Sequence, residues 1–133
     1  MKKFWYYYIN LIKKKLNCKG RDKIVKNIIK SILDKKGEDI TILNLKKFNT
    51  FTDYFILCTA TSEKHAQTIA DAVLEAVERE SFLGMEGYQQ GKWILIDCDE
   101  VVVHVFQKET REFYDIEGLW YDAEREKLED YGF

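Results

Sequence analysis

The stretch YFILCTATSEKHAQTIADAVLEAV, residues 54–77, decides the fold. Its first seven residues are an almost unbroken apolar run, which predicts a strand that is buried on both faces and therefore central in a sheet. A hydroxyl at Thr61 or Ser62 is placed to cap a helix that we expect to run to about Glu80. A strand that leads into a long helical crossover predicts a mixed sheet, with parallel as well as antiparallel neighbours.

Further elements flank this stretch on both sides. Upstream, apolar residues between Ile24 and Leu33 recur with helical spacing, and DITILNL (residues 39–45) is typical of a strand. Downstream, GKWILIDCDEVVVHVF (residues 91–106) predicts two strands joined by a short acidic turn, and a last short helix follows. The order predicts an α/β (mixed) fold, in which helices flank a four- to five-stranded sheet.

Composition and charge exclude several protein classes. The 133 residues give room for one domain, and no apolar stretch approaches the roughly 20 residues that span a bilayer. The three cysteines (Cys18, Cys58 and Cys98) lack CxxC spacing, which argues against a disulfide scaffold or structural zinc site and fits a reducing compartment. Residues 1–30 sum to +9 and the rest to −11. This asymmetry favours either a large charged partner or two merely solvated regions.

The chain divides into three parts by composition. A basic N-terminal extension (residues 1–21) precedes the predicted domain (residues 22–122), and an acidic C-terminal tail (residues 123–133) follows it. The extension interleaves lysines with aromatic residues, which suits an RNA-contacting arm, an interfacial helix or a poorly ordered leader. It has neither the apolar core of a signal peptide nor the Arg- and Ser-rich composition of a transit peptide. These features favour the bacterial cytoplasm, with an organelle matrix as the alternative.

The residues that could carry catalysis form no convincing site. The sequence has no glycine-rich phosphate loop. His104 alternates with Val102 and Phe106 on one strand face, which is typical of a partly buried histidine rather than a general base. The turn acids Asp97, Asp99 and Glu100 near His104 suggest a metal site. However, two ligands from alternate strand positions would need a third from elsewhere, and turns favour such acids anyway. We therefore predict no catalytic residue, no metal ligand and no cofactor.

Trp93 is the most informative single residue. It opens a hairpin strand beside Ile94, and the alternation of a strand places one of these two side chains outward. An outward tryptophan next to Lys92 would be a typical anchor for a protein partner, whereas a core tryptophan would only fill space. The sequence leaves both interpretations open.

Four motifs occur together and in a fixed order. They are FTDYFILCTATSEKHAQTIADAV, MEG, KWILIDCDEVVVHVF and REFYDIEGLW. This combination resembles the ribosomal silencing factor family, also called the Iojap family, from about Asp22 to Asp122. The resemblance implies a mixed sheet related to the nucleotidyltransferase fold, without the catalytic acids of that fold.

The resemblance also implies a function and a set of partners. Members bind the large ribosomal subunit through its ribosomal protein fourteen, block joining of the small subunit and repress translation; organellar members act in large-subunit assembly. The resemblance implies a partner contact surface at Trp93 and Ile94, matching positions at Lys64 and His65, and a homodimer. Lys92 joins these candidate contacts because it flanks Trp93. It implies no enzymatic activity, no DNA and no membrane. The alternatives kept open are an assembly factor, a nucleotidyltransferase-like enzyme and a membrane-surface protein.

Three positions depart from the family pattern. Ala60 and Cys98 stand where the family usually has glycine, and Lys64 stands where it often has arginine. A left-handed backbone at Ala60 or Cys98 would cost about 1 kcal/mol. Lysine keeps the positive charge of arginine but cannot donate two parallel hydrogen bonds to one acceptor group, as a guanidinium can.

Overall fold

The structure is a computed structural model that describes residues 21–133. The predicted basic extension, with Cys18, lies outside the described residues, apart from Arg21 at the start of the first helix. Within the described part, the helices are α1 (Arg21–Asp34), α2 (Glu63–Ala76), α3 (Lys108–Tyr114) and α4 (Ile116–Leu119). The strands are β1 (Glu38–Asn44), β2 (Tyr54–Ala60), β3 (Gly84–Glu86), β4 (Trp93–Cys98), β5 (Val101–Gln107) and β6 (Glu124–Glu126), and short 3-10 helices cover Lys46–Phe48 and Leu128–Tyr131.

The strands form one mixed sheet in the order β3-β4-β5-β2-β1-β6. The central β2 and β5 are parallel, and their other neighbours pair antiparallel. The mixed sheet is therefore confirmed, but the expected count of four to five strands is wrong, because the described residues contain six. The missed strands β3 and β6 have three residues each, too few to show an alternating pattern. β6 lies within the segment predicted as an acidic tail.

One face of the sheet packs against α1 and α2. The predicted apolar stripe of α1 is fully buried at Val25, Ile28, Ile29 and Ile32, and Ile69 of α2 joins it in the same core cluster. We call this the helix-side core. Burial of these side chains is the main force that holds the two helices on the sheet.

The start of α2 confirms the expected cap, and its end differs from the prediction. The hydroxyl of Ser62 accepts a hydrogen bond from the backbone N–H of His65 at 3.0 Å. The helix ends at Ala76 rather than near Glu80, and Val77 is already extended with ψ 147°. No glycine or proline marks this end, so the sequence carried no local stop signal.

The opposite face of the sheet is covered unevenly. Over β1 and β2, Ile116 and Trp120 pack on a second core cluster that includes Leu43 and Leu57. Over β4, the side chains of Trp93 and Asp97 stay half-buried. We call this part of the sheet, on β3 and β4, the open face.

The expected backbone strain at Ala60 and Cys98 does not arise. Both residues lie in strands and neither has a positive φ. In the turn between β4 and β5, the left-handed residue is Asp99, with φ +71°. Aspartate tolerates this conformation better than most side chains, so the turn forms without a glycine.

Candidate protein-binding face

The alternation of β4 separates Trp93 from Ile94. Trp93, Leu95 and Asp97 are half-buried on the open face, whereas Ile94 and Ile96 are 0% exposed in the helix-side core. The tryptophan therefore points away from the helix-side core, and its half-buried ring packs against the second core cluster. The side chain of Ile94 is not accessible on this surface, since it lies beneath the strand that carries Trp93.

Aromatic rings fix the position of the Trp93 side chain. Its indole stacks on Phe106 with ring centroids 5.0 Å apart and an interplanar angle of 27°. The ring of Tyr114, from α3, lies 4.9 Å away on a tilted plane. Stacking of this kind holds the indole in one orientation and leaves part of its surface uncovered.

The indole N–H of Trp93 is satisfied within the chain. Nε1 donates a hydrogen bond to Nδ1 of His104 at 3.1 Å. Since an indole nitrogen can only donate, Nδ1 of His104 must be the acceptor, and a neutral ring carries its proton on Nε2. That buried Nε2 has no hydrogen-bond partner among the described residues.

His104 confirms the expected placement of a buried histidine beside Val102 and Phe106. Its side chain is 3% exposed, and burial lowers the pKa of its imidazole from 6.5 to about 4. The imidazole is therefore neutral at physiological pH and stays available as the acceptor for Trp93.

The lowered pKa of His104 predicts a pH-dependent stability. Between about pH 6.5 and 4 the unfolded chain binds a proton at this residue and the folded chain does not, so stability falls as the pH falls. We expect the wild type to lose about 3 kcal/mol more than a His104→Gln variant between pH 7 and pH 4. Urea unfolding of both proteins over this range measures the difference. Parallel pH profiles for the two proteins would contradict the prediction.

Lys92 and the start of α2 meet at one rim of the molecule. Gly91, with φ +64°, packs so closely on Glu63 that a Cβ would lie 3.0 Å from the Glu63 backbone. Glycine is required here, because a side chain would meet both steric conflict and backbone strain. The side chains of Lys92 and Lys64 are exposed on either side of this contact. The structure therefore brings the predicted residues Lys64, His65 and Lys92 to the end of the sheet where β4 begins.

His65 is engaged by its own chain at both ring nitrogens. The backbone N–H of Thr61 donates to Nδ1 at 2.9 Å, so Nε2 carries the proton and donates to the carbonyl of Lys35 at 2.7 Å. The histidine thereby ties the start of α2 to the segment that follows α1. Its side chain has a structural role in addition to any role in binding.

Arg111 organises a polar cluster that the sequence analysis missed. Its guanidinium donates to both carboxylate oxygens of Glu117, at 3.0 and 2.9 Å. It also donates to the Asp39 carbonyl at 2.8 Å and to the hydroxyls of Thr59 and Thr41 at 2.9 Å each. These bonds use all five N–H donors of the side chain. The hydrogen bonds from Arg111 hold the pKa of the Glu117 carboxyl below its usual value.

The described residues show no arrangement for metal or thiol chemistry. Within residues 21–133, no three His, Cys, Asp or Glu side chains converge as a metal ion would need. Cys58 and Cys98 are buried, and burial raises the pKa of each thiol to about 12. This confirms that both are core residues, because thiols with such pKa values are poor nucleophiles. Every helix among the same residues is too short or too polar to cross a bilayer.

Comparison with known proteins gives consistent results. The family profile "Ribosomal silencing factor during starvation" matches residues 19–132. A Halalkalibacterium halodurans protein named "Ribosomal silencing factor RsfS" is 39% identical over 103 residues, which cover 76% of this chain and 88% of the relative. A crystal structure of a Chromobacterium violaceum protein superposes with a TM-score of 0.70 at 34% identity, over 74% of this chain and 83% of the other.

One organellar relative carries a different name. The mouse protein "Mitochondrial assembly of ribosomal large subunit protein 1" is 24% identical over 98 residues. The match covers 70% of this chain but only 43% of the mouse protein.

Proposed function

The chain belongs to the ribosomal silencing factor family, and on that premise we propose that it binds the large ribosomal subunit through its ribosomal protein fourteen and blocks joining of the small subunit. The role is that of a translational repressor without catalytic activity or cofactor. The observation that carries the proposal is the position of Trp93, half-buried on the open face in a fixed orientation.

Trp93 has the properties of an interface anchor. Tryptophan buries a large area with few rotatable bonds, and ordering it in advance reduces the entropy lost on binding. Because His104 already accepts the indole N–H, a partner can cover the ring without supplying an acceptor. An apolar or cationic surface of the partner therefore suits this residue better than a carbonyl-rich one.

The other predicted contact residues have supporting roles in the proposal. Lys64 and Lys92 are exposed at the rim near Trp93, where they would contact the partner at its edge. His65 fixes the start of α2 through its bond to Lys35. Ile94 supports the strand from the helix-side core rather than contacting the partner directly.

The proposed mechanism of silencing is steric. A domain of this size needs a footprint of roughly 800 Å² on its partner to bind stably. Once bound at the intersubunit surface, it occupies space that the small subunit requires. The net charge of −11 after residue 30 complements a basic ribosomal protein and raises the association rate.

Subunit joining tests this function directly. We expect the purified chain to sediment with isolated bacterial large subunits and to reduce the yield of joined ribosomes when small subunits are added. Light scattering follows the joining, and bovine serum albumin at the same concentration is the control. Failure of the intact chain to bind large subunits would overturn the proposal.

A second candidate function is assistance in large-subunit assembly. The name of the mouse relative favours it. The joining assay separates the two functions, since an assembly factor would bind large subunits and leave their joining unimpaired.

In either role we propose a cytoplasmic location in a bacterium, with an organelle matrix as the alternative. Contact of the basic extension with ribosomal RNA also stays a proposal, because that segment lies outside the described residues.

A nucleotidyltransferase-like activity has little support from the geometry. The candidate acids Asp97 and Asp99 differ in position, because Asp97 is half-buried on the open face and Asp99 is 7% exposed in the turn. Two-metal phosphoryl transfer requires carboxylates that converge on the same ions. We therefore keep the binding function as the proposal.

Self-association is a further part of the proposal. Phe113, Leu119 and Tyr121 are between 73% and 81% exposed around α3 and α4. Large apolar side chains as exposed as these are available to an interaction surface. We propose that a second copy of the chain covers them in a homodimer, and sedimentation equilibrium of the purified chain measures it.

A further inference from the structure

The open face carries a second feature at the other end of β4 from Trp93. Asp97 lies four residues along the strand, which places it about 13 Å from Trp93 on the same face. Next to Asp97 is a cavity of about 420 Å³, lined in part by Phe55, Leu95 and His104. We call it the acidic cavity.

Strand register explains why the acidic cavity contains two carboxylates. Glu86 pairs with Leu95, and Leu95 pairs with His104, so these three side chains form one cross-strand row. Asp97 lies in the neighbouring row, opposite Gly84 of β3. The two carboxylates thus occupy adjacent rows of a single face.

Gly84 keeps the cavity open. A Cβ built at this position meets no atom within 4 Å, and its φ lies outside the left-handed region. The backbone would therefore accept a larger residue without strain. What glycine provides at this position is empty space in the cavity. A side chain at Gly84 would extend into the volume beside Asp97.

The chemistry of the lining favours a cation. Glu86 and Asp97 line the cavity, and its described lining includes no lysine or arginine. His104 also lines it as a neutral ring whose Nε2–H has no acceptor among the described residues. A phosphate group would be repelled here. A basic residue would bring a positive head group to these carboxylates.

We propose that the acidic cavity binds a lysine or arginine side chain of the same protein partner that covers Trp93. The inference rests on the proposed function for the identity of that partner. Phe55 and Leu95 pack on the aliphatic stem, Glu86 pairs with the charged end, and the negative charge of Asp97 adds to the attraction. The partner is then recognised at two points about 13 Å apart, one aromatic and one ionic.

Two variants test the cavity without altering Trp93. Gly84→Leu fills the cavity and keeps both carboxylates, and we expect it to weaken binding of large subunits about tenfold. Glu86→Gln removes one charge from an exposed position, and we expect weaker binding with a smaller dependence on salt. Glu75→Gln, on the exposed side of α2, is the matched control and should bind like the wild type.

A probe that does not depend on ribosomes separates this inference from the proposed function. In NMR titrations of the isolated chain, N-acetyl-arginine amide should shift the signals of Leu95 and His104 in the wild type and not in Gly84→Leu. Large subunits that bind the wild type, Gly84→Leu and Glu86→Gln equally at all salt concentrations would overturn the cavity proposal alone. Probe binding by a chain that fails to bind large subunits would overturn the proposed function and support the cavity.

Discussion

Replacement of Trp93 by alanine should weaken binding to large ribosomal subunits about 100-fold, because truncation of a preordered tryptophan at an interface costs about 3 kcal/mol. The variant loses the ring that stacks on Phe106 and leaves His104 without its donor. Trp93→Phe should lose only about tenfold, since a smaller ring can still stack while the hydrogen bond is gone. Sedimentation with a concentration series of large subunits measures both effects.

A matched control comes from the other side of the molecule. Phe133 is 39% exposed, and the neighbouring Gly132 lies beside Lys26 of α1 rather than on the open face. Phe133→Ala should therefore bind large subunits like the wild type. Circular dichroism and thermal unfolding establish that each variant is folded. Equal loss of binding in Trp93→Ala and Phe133→Ala would contradict the assignment of the anchor.

Replacement of Arg111 by methionine should lower the free energy of unfolding by about 3–5 kcal/mol. Methionine preserves much of the volume but removes the guanidinium that donates to both carboxylate oxygens of Glu117. It also removes the donor to the buried Thr59 hydroxyl of β2 and to the half-buried Thr41 hydroxyl of β1. Breaking a partly buried pair by deleting one member leaves an uncompensated charge, which explains the large effect. Urea unfolding measures it.

Two further variants show whether the planar geometry of the Arg111 guanidinium or its positive charge stabilises the fold. Arg111→Lys keeps the charge but cannot reproduce five donors in one plane, so we expect it to recover only a minor part of the loss. Arg125→Met is the control, because Arg125 is exposed and its Nη1 lies 4.0 Å from the Glu117 carboxylate. That variant should lose less than about 0.5 kcal/mol. Similar losses in Arg111→Met and Arg125→Met would refute the structural role of Arg111.

The long elements of the fold were predictable because burial imposes a pattern on them. β2 is buried at all seven positions, and its apolar run in the sequence shows this directly. β3 and β6 left no such pattern, since a three-residue strand is held by its neighbour rather than by its own alternation. The end of α2 was misplaced for a related reason: residues 77–80 lack any local stop signal, and tertiary packing decides where the helix ends.

The binding face was only partly predictable. The sequence indicates that Trp93 and Ile94 point in opposite directions, but the pairing of β4 with β5 decides which of them faces the helices. The hydrogen bond from Trp93 to His104 depends on the same register, which places residues eleven apart within reach. Arg111 contacts Asp39, which lies 72 residues away in the chain, and a contact between residues so distant has no sequence signature.

The two edges of the sheet have a consequence for the behaviour of this protein in the cell. Both edge strands have three residues, and β6, from Glu124 to Glu126, is charged at every position. Long, uncharged edge strands act as templates for intermolecular pairing and aggregation. Short and charged edges resist such pairing. The edges of this sheet therefore offer little for strand pairing between copies, even though Trp93 stays partly uncovered on the open face.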